Sequence, residues 1–329
     1  MSRCVAPLAL LVAALGLLGA SDSASSGREL TIAVIPKGTT HEFWKSIHAG
    51  ALKAAGDSDD GTRILWKGPA REDARADQIK VVEDFVTRGV DGIVIAPLDD
   101  IALVRPLKEA VEEDIPVVII DSGIRWDGYL SFVATDNYQG GVRAANELAR
   151  QLDGSGRVVM LRYVVGSAST TRREEGFLET MKASWPGIEV VSSNQHGGAT
   201  PEGCLKAAEN LLTRFQEIDG AFAPCEPVSV AFMQSLKSTG RKSDVRLVGF
   251  DASEALVSGL ASGAIDALVV QDPMAMGERG VAALEAHLAG RPVPRTIDTG
   301  CHVVTRENMK TPEIDRLLHP PLEKYLGGK

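Results

Sequence analysis

The sequence predicts an α/β protein made of two doubly wound lobes, each built on a parallel sheet. Three observations carry this expectation. Short apolar, β-branched runs alternate with amphipathic helical stretches along most of the chain, the pattern of parallel strands joined by helices. The length, 329 residues, exceeds one ordinary α/β domain and suits two. Finally, Glu83–Pro97 (EDFVTRGVDGIVIAP) is echoed by Glu209–Pro224 (ENLLTRFQEIDGAFAP). Each copy places a helix end, a Thr-Arg pair, an Asp-Gly turn and a strand ending in Ala-Pro, so the loops after Pro97 and Pro224 are expected at equivalent places in two similar lobes.

Taken in order, the expected strands are Leu30–Ile35, Gly92–Ala96, Pro116–Ile120, Arg157–Leu161, Ile188–Val191, Gly220–Ala223, Arg246–Gly249 and Ala267–Val270. Their nearly continuous apolar character is that of strands covered on both faces. Between them, Ile79, Val82, Phe85 and Val86 form one apolar helix face, and Gly89 is placed to end that helix.

The first residues read differently. Arg3 precedes an apolar run from Val5 to Ala20, followed by small polar residues. A charged start, a short apolar core and a small-residue exit describe a secretory signal peptide, here residues 1–21. The run is shorter than the roughly 20 residues of a membrane span, so an exported protein, soluble after signal cleavage, is expected. Beyond Cys4, three cysteines remain: Cys204, Cys225 and Cys301. An odd count excludes full pairing. One disulfide with one free thiol is compatible with an oxidising compartment, and their spacing fits no zinc site.

The formal charge of −9, without a basic stripe, argues against nucleic-acid binding. No phosphate-binding glycine motif, nucleophile elbow or HExxH is present, and no acid, base and nucleophile set stands out. Neither cofactor nor metal is expected, and the chain reads as a binder rather than an enzyme.

Ligands of open α/β sheets lie beyond the carboxyl ends of the strands, where this chain carries polar residues. The first strand leads into Lys37, His41, Phe43 and Trp44; one ring is expected to face a cleft and Trp44 to be the more buried. Later strands end at Asp121-Ser122, at Cys225-Glu226, at Asp251 and at Gln271, while Ser167, Ser169, Thr170, Thr171 and Arg173 follow the strand near Leu161. Carboxylates accept two hydrogen bonds from vicinal hydroxyls and arginine offers a planar fork of donors. Any single Asp here has a second reading, as the N-cap of the following helix.

At these residues the chain resembles the periplasmic sugar-binding proteins of ABC transporters, of the ribose-binding type. The resemblance runs from Leu30 to about Arg306 and rests on HEFWKSIHAGA, IPVVIID, ATDNYQGG, REEGF, Asp219–Pro224 and SDVRLVGFD taken in order. It implies a type I periplasmic binding protein, with two Rossmann-like lobes joined by a three-segment hinge near Ala134–Asp136, Gln271–Asp272 and Gly300–Cys301. The lobes would then be residues 28–135 plus 272–300, and 136–271 plus 301–329. It also implies ligand contacts at Lys37, His41, Phe43, Trp44, Asp121, Arg173, Cys225 or Glu226, Asp251 and Gln271, with Ser122 beside them. The pattern has Asp-Arg where this chain has Asp121-Ser122, and Asn-Asp where it has Cys225-Glu226. Pro36-Lys37 and Trp66-Lys67-Gly68-Pro69 lean toward the rhamnose and autoinducer-2 binding branch, which places Asp where Arg173 stands.

The expected partners are a small sugar or polyol and an ABC transporter permease, with the protein a monomer. A sensor docking on a membrane kinase or chemoreceptor, and an autoinducer-2-like ligand, are the alternatives. A transcriptional regulator of the same fold would carry a helix-turn-helix where this chain has its export signal. Removal of Asp121, Arg173 or Asp251 is expected to weaken binding about ten- to a hundredfold and to leave the stability of the empty protein nearly unchanged.

Overall fold

Two six-stranded sheets organise the chain, and the second repeats the strand order of the first. A computed structural model describes Met1 and residues 29–58 and 61–327; the expected signal peptide lies, apart from Met1, outside the described residues. The first sheet begins with β1 (Leu30–Ile35), α1 (Glu42–Asp57), β2 (Thr62–Trp66), α2 (Arg75–Arg88), β3 (Gly92–Ile95), α3 (Val104–Glu112), β4 (Val117–Ile120) and β5 (Ser131–Ala134). The chain then crosses to α4 (Asn137–Gln151), β6 (Gly156–Arg162), α5 (Ala168–Ser184), β7 (Ile188–His196), α6 (Pro201–Arg214), β8 (Gly220–Phe222), α7 (Glu226–Ser238), β9 (Arg246–Phe250), α8 (Glu254–Ser262) and β10 (Ala267–Gln271). It returns for α9 (Pro273–Leu288) and β11 (Thr296–Asp298), then crosses again to β12 (Cys301–Val304), α10 (Pro312–Leu318) and α11 (Leu322–Leu326).

The sheet orders are β11-β5-β4-β3-β1-β2 and β12-β10-β9-β8-β6-β7. Element for element they match, so β3 and β8, the strands of the sequence echo, are equivalents. Every pairing is parallel except β10 with β12. The strands read as continuous apolar runs because both faces are covered. Ile32 and Val34 face one core and Ala33 and Ile35 another; Val159 and Leu161 divide from Val158 and Met160 in the same way.

Three segments connect the sheets: β5 to α4, β10 to α9, and β11 to β12. Two of them end in helix caps. Asp136 accepts the Gln139 N–H at 3.1 Å and Asp272 the Ala275 N–H at 2.9 Å, satisfying orphan donors of the first turn. The helix over Ile79–Val86 forms as expected and stops at Gly89, whose φ of 64° lets its N–H turn back to the Phe85 and Val86 carbonyls. The tail differs from expectation. Ile314, Leu317 and Leu318 of α10 join a core of the second sheet, but α11 packs on α1 of the first.

Four strands escape a reading of apolar runs. β2, β11 and β12 are sheet edges, and β2 and β11 are only half-covered. β5 is the four residues Ser131–Ala134. Cys204, Cys225 and Cys301 are all buried and unpaired.

Candidate functional site

The carboxyl ends of the two sheets face each other and enclose a cavity of about 30 Å³, room for about two waters. Lys37, His41, Phe43, Trp44 and Asp121 line it from the first lobe, and Arg173, Cys225, Glu226, Asp251 and Gln271 from the second. Ser122 does not line it. Its side chain is fully buried behind the wall, where Oγ accepts the Ser169 N–H at 3.0 Å across the cleft.

Asp121 and Asp251 are equivalents, each the first residue after the corresponding strand, β4 or β9. Neither is the N-cap of the helix that follows it. Both take left-handed backbone, φ 58° and 73°, a conformation Asp tolerates better than most residues. Each N–H then donates to the neighbouring strand, Asp121 to Val133 O at 3.1 Å and Asp251 to Val269 O at 2.9 Å, which turns the carboxylate into the cleft.

The first-lobe wall is a chain of buried charges. Lys37 Nζ lies 2.7 Å from Asp121 Oδ2 and reaches across to donate to Ser169 Oγ at 2.9 Å. His41 Nδ1 and Trp44 Nε1 both meet Glu72 Oε1 at 2.8 Å. Trp44 is buried, and Phe43 packs edge-on to it with ring centroids 5.1 Å apart. On the second wall Arg173 Nε donates to Asn137 Oδ1 at 2.7 Å and Nη1 to the Pro224 carbonyl at 2.9 Å, and the guanidinium lies 4.0 Å over the Phe250 ring. Asp251 accepts from the Glu226 N–H at 2.9 Å and from Gln271 Nε2 at 2.6 Å.

The expectation that these side chains could be removed without loss of stability is therefore corrected. Each is bonded inside its own lobe, so separating the lobes would leave those bonds in place. Asn137, the first residue of α4, accepts from Arg173 and also donates to Asp121 O at 3.2 Å, so it joins the two walls.

Helix N-termini close the mouth reciprocally. Glu42, first residue of α1, accepts the Glu254 N–H that opens α8, at 2.9 Å. Glu226, first residue of α7, accepts the Phe43 N–H of α1. Carboxylates at helix N-termini are favoured by the orphan N–H groups and the macrodipole. On the far rim, Arg75 donates to Val165 O at 2.8 Å and the Asp100 N–H to Gly166 O at 3.0 Å.

Sequence reasoning missed Glu72, Tyr163 and Pro227, and named Ser167, Ser169 and Thr170 only as a polar loop. Glu72 follows β2, a half-covered edge strand without a continuous apolar run, so nothing in the sequence marks its loop as a strand end. Tyr163 continues an apolar stretch and reads as core; only its place just past β6 marks it.

Burial, then the neighbouring Asp251, pushes Glu226 up to about 7. Burial also pushes Glu174, beside Arg162, up to about 7. Burial works against a charge on His41, but the Glu72 hydrogen bond and field prevail and raise its pKa. All three hold protons in the folded chain that the unfolded chain releases, so stability rises as pH falls. The carboxyls act from about 7 down toward their ordinary 4.5, and His41 from above 6.5. Burial lowers His48 and His196, which oppose this only as pH falls through 6.5. Urea unfolding of the ligand-free protein is thus expected to show greater stability near pH 6.5 than near pH 8. A flat or reversed profile would contradict the assignment of these groups.

A sequence model described as periplasmic binding protein domain matches residues 32–292. The chain belongs to that family. Among its relatives is the ribose import binding protein of Escherichia coli (strain K12), 28% identical over 302 residues, 91% of this chain and 98% of that one. Two solved structures superpose with a TM-score of 0.84. One is a carbohydrate transporter solute binding protein from Agrobacterium radiobacter in complex with D-arabinose, 33% identical, covering 88% of this chain and 99% of its own. The other is an ABC transporter solute binding protein from Agrobacterium vitis with bound D-fucose, 34% identical, covering 88% and 100%. Membership bears out the type I periplasmic binding protein fold and a binding rather than enzymatic role. Among the described residues no helix is long and apolar enough to cross a membrane.

Proposed function

We propose that this chain is an exported, monomeric solute-binding protein that captures a sugar or sugar-like polyol between its lobes and presents the closed form to an ABC transporter permease. The observation that carries the reading is the convergence of Lys37, Asp121, Arg173, Asp251 and Gln271, from both lobes, on one enclosed cavity. A polyol needs many donors and acceptors fixed around an apolar ring face, and Phe43 and Trp44 supply that face beside them. The two walls meet across the cavity, as where Lys37 Nζ donates to Ser169 Oγ at 2.9 Å, so admission of a ligand requires them to part. Residues 28–135 with 272–300 and residues 136–271 with 301–321 would move as the two bodies, α11 riding with the first, swinging about the three connections. The bound D-arabinose and D-fucose of the related structures and the ribose import role of the relative in Escherichia coli support a carbohydrate ligand.

A thermal-shift screen of pentoses, hexoses, deoxyhexoses and inositols tests this. A cognate sugar at 100 times its dissociation constant is expected to stabilise the fold by about 2.7 kcal/mol. Silence across the panel, with a shift on an amino acid, would refute the carbohydrate reading.

A further inference from the structure

The acceptors of the cavity are divided unequally between its walls. On the first-lobe wall each carboxylate meets a basic nitrogen: Asp121 has Lys37 at 2.7 Å and Glu72 has His41 at 2.8 Å. On the second-lobe wall Asp251 and Glu226 are neighbours, joined by the Glu226 N–H to Asp251 Oδ2 bond of 2.9 Å. Among the described residues neither of these carboxylates belongs to an ion pair within 4.0 Å. Gln271 adds a third acceptor. It is 2% exposed and lines the same cavity; its Nε2 is committed to Asp251 Oδ1 at 2.6 Å, and its Oε1 is buried without a hydrogen-bond partner.

Arg173 is the cation of this wall, but two of its nitrogens are already engaged with Asn137 and Pro224 and its face lies on Phe250. It acts on Asp251 through its field rather than by contact. A wall of surplus acceptors calls for donors. A hydroxyl brings one donor together with lone pairs that the carboxylates repel. An ammonium brings three donors, no acceptor and a positive charge, and charge-assisted hydrogen bonds are about twice as strong as neutral ones.

We propose that the ligand is a basic sugar derivative, an amino sugar or aminopolyol, seated with its ammonium against Glu226, Asp251 and Gln271 Oε1 and its hydroxyls toward Lys37 and the serines of the α5 loop. The proposal rests on the carbohydrate reading above and narrows it. The upward shift of Glu226, from burial and from Asp251, agrees with it, since a ligand cation would relieve the repulsion between the two carboxylates.

Calorimetric titration near neutral pH tests it, with D-glucosamine, D-galactosamine, D-mannosamine and 1-amino-1-deoxy-D-sorbitol set against D-glucose, D-galactose, D-mannose and D-sorbitol. At least one amine is expected to bind about tenfold or more tighter than its neutral parent. In Glu226→Gln and in Asp251→Asn that preference is expected to shrink to about threefold or less, with calorimetric melting of each variant showing that it remains folded. Neutral parents binding as tightly as the amines, or a preference that survives both substitutions, would overturn this inference and leave the carbohydrate reading standing. Absence of binding by every compound, with no shift across the neutral panel, would overturn both.

Discussion

Replacing Arg173 with alanine is expected to cost the ligand-free protein about 2–6 kcal/mol, about 1–3 for each of the two buried acceptors left without a donor, and to weaken ligand binding more than about a hundredfold. The side chain is buried, holds Asn137 Oδ1 and the Pro224 carbonyl, and covers Phe250. Its loss leaves those two acceptors unpaired and deprives buried Asp251 of its nearby positive field. Arg173→Lys keeps the charge but cannot span Asn137 and Pro224 together with a planar fork, so it is expected to fall between the wild type and the alanine variant in both measurements. Urea unfolding of the free protein and calorimetric titration with the most stabilising sugar read the two effects. An unchanged unfolding midpoint for Arg173→Ala would mean that the guanidinium serves the ligand alone.

Gly141→Ala is expected to destabilise the second lobe by about 3 kcal/mol or more, at the upper end of overpacking costs, and to lower Tm by about 6–10 °C. A Cβ on Gly141 of α4 would fall on the Arg173 carbonyl of α5, and one on Gly176 of α5 on the Tyr138 carbonyl of α4. The obstacles are backbone atoms of a rigid helix, so only separation of the helices makes room. The first lobe repeats the arrangement: Gly50 of α1 meets the Met274 carbonyl of α9, and Gly277 of α9 that of Ile47. Gly50→Ala should therefore cost similar stability. Because the Gly141 clash is with Arg173 itself, Gly141→Ala should also displace the guanidinium and weaken binding, whereas Gly50→Ala should not act on Arg173. Differential scanning calorimetry with titration of both variants separates these outcomes. Equal melting of Gly141→Ala and wild type would show that the helices are not held at this distance.

The architecture was legible because doubly covered parallel strands leave an unmistakable record. Ile32 to Ile35 are apolar without a break since alternate residues enter two different cores, and Val158 to Leu161 repeat it. The echo between Glu83–Pro97 and Glu209–Pro224 marked the duplication that the matched strand orders bear out. Edge strands such as Thr62–Trp66 and Thr296–Asp298 gave no such record, because half-covered strands need no apolar run. Much of the candidate site followed from one rule, that ligands lie beyond strand ends: Lys37, Asp121, Asp251 and Gln271 were found in that way. Glu72 was lost with its unread strand, and Tyr163 was hidden by its apolar neighbours.

By itself, then, the amino-acid order determined two α/β lobes and which strand ends carry polar groups, since these depend on local periodicity and on residue type. Only the tertiary structure decided which aspartates cap helices and which face the cleft. Asp136 and Asp272 accept N–H groups three residues on, while Asp121 and Asp251 turn away from the helices that follow them through left-handed backbone. It also decided that Ser122 supports the wall and that Glu226 lies beside Asp251 without an ion pair. The last two outcomes depend on the distance between groups that lie far apart in the chain, and no sequence spacing encodes that distance.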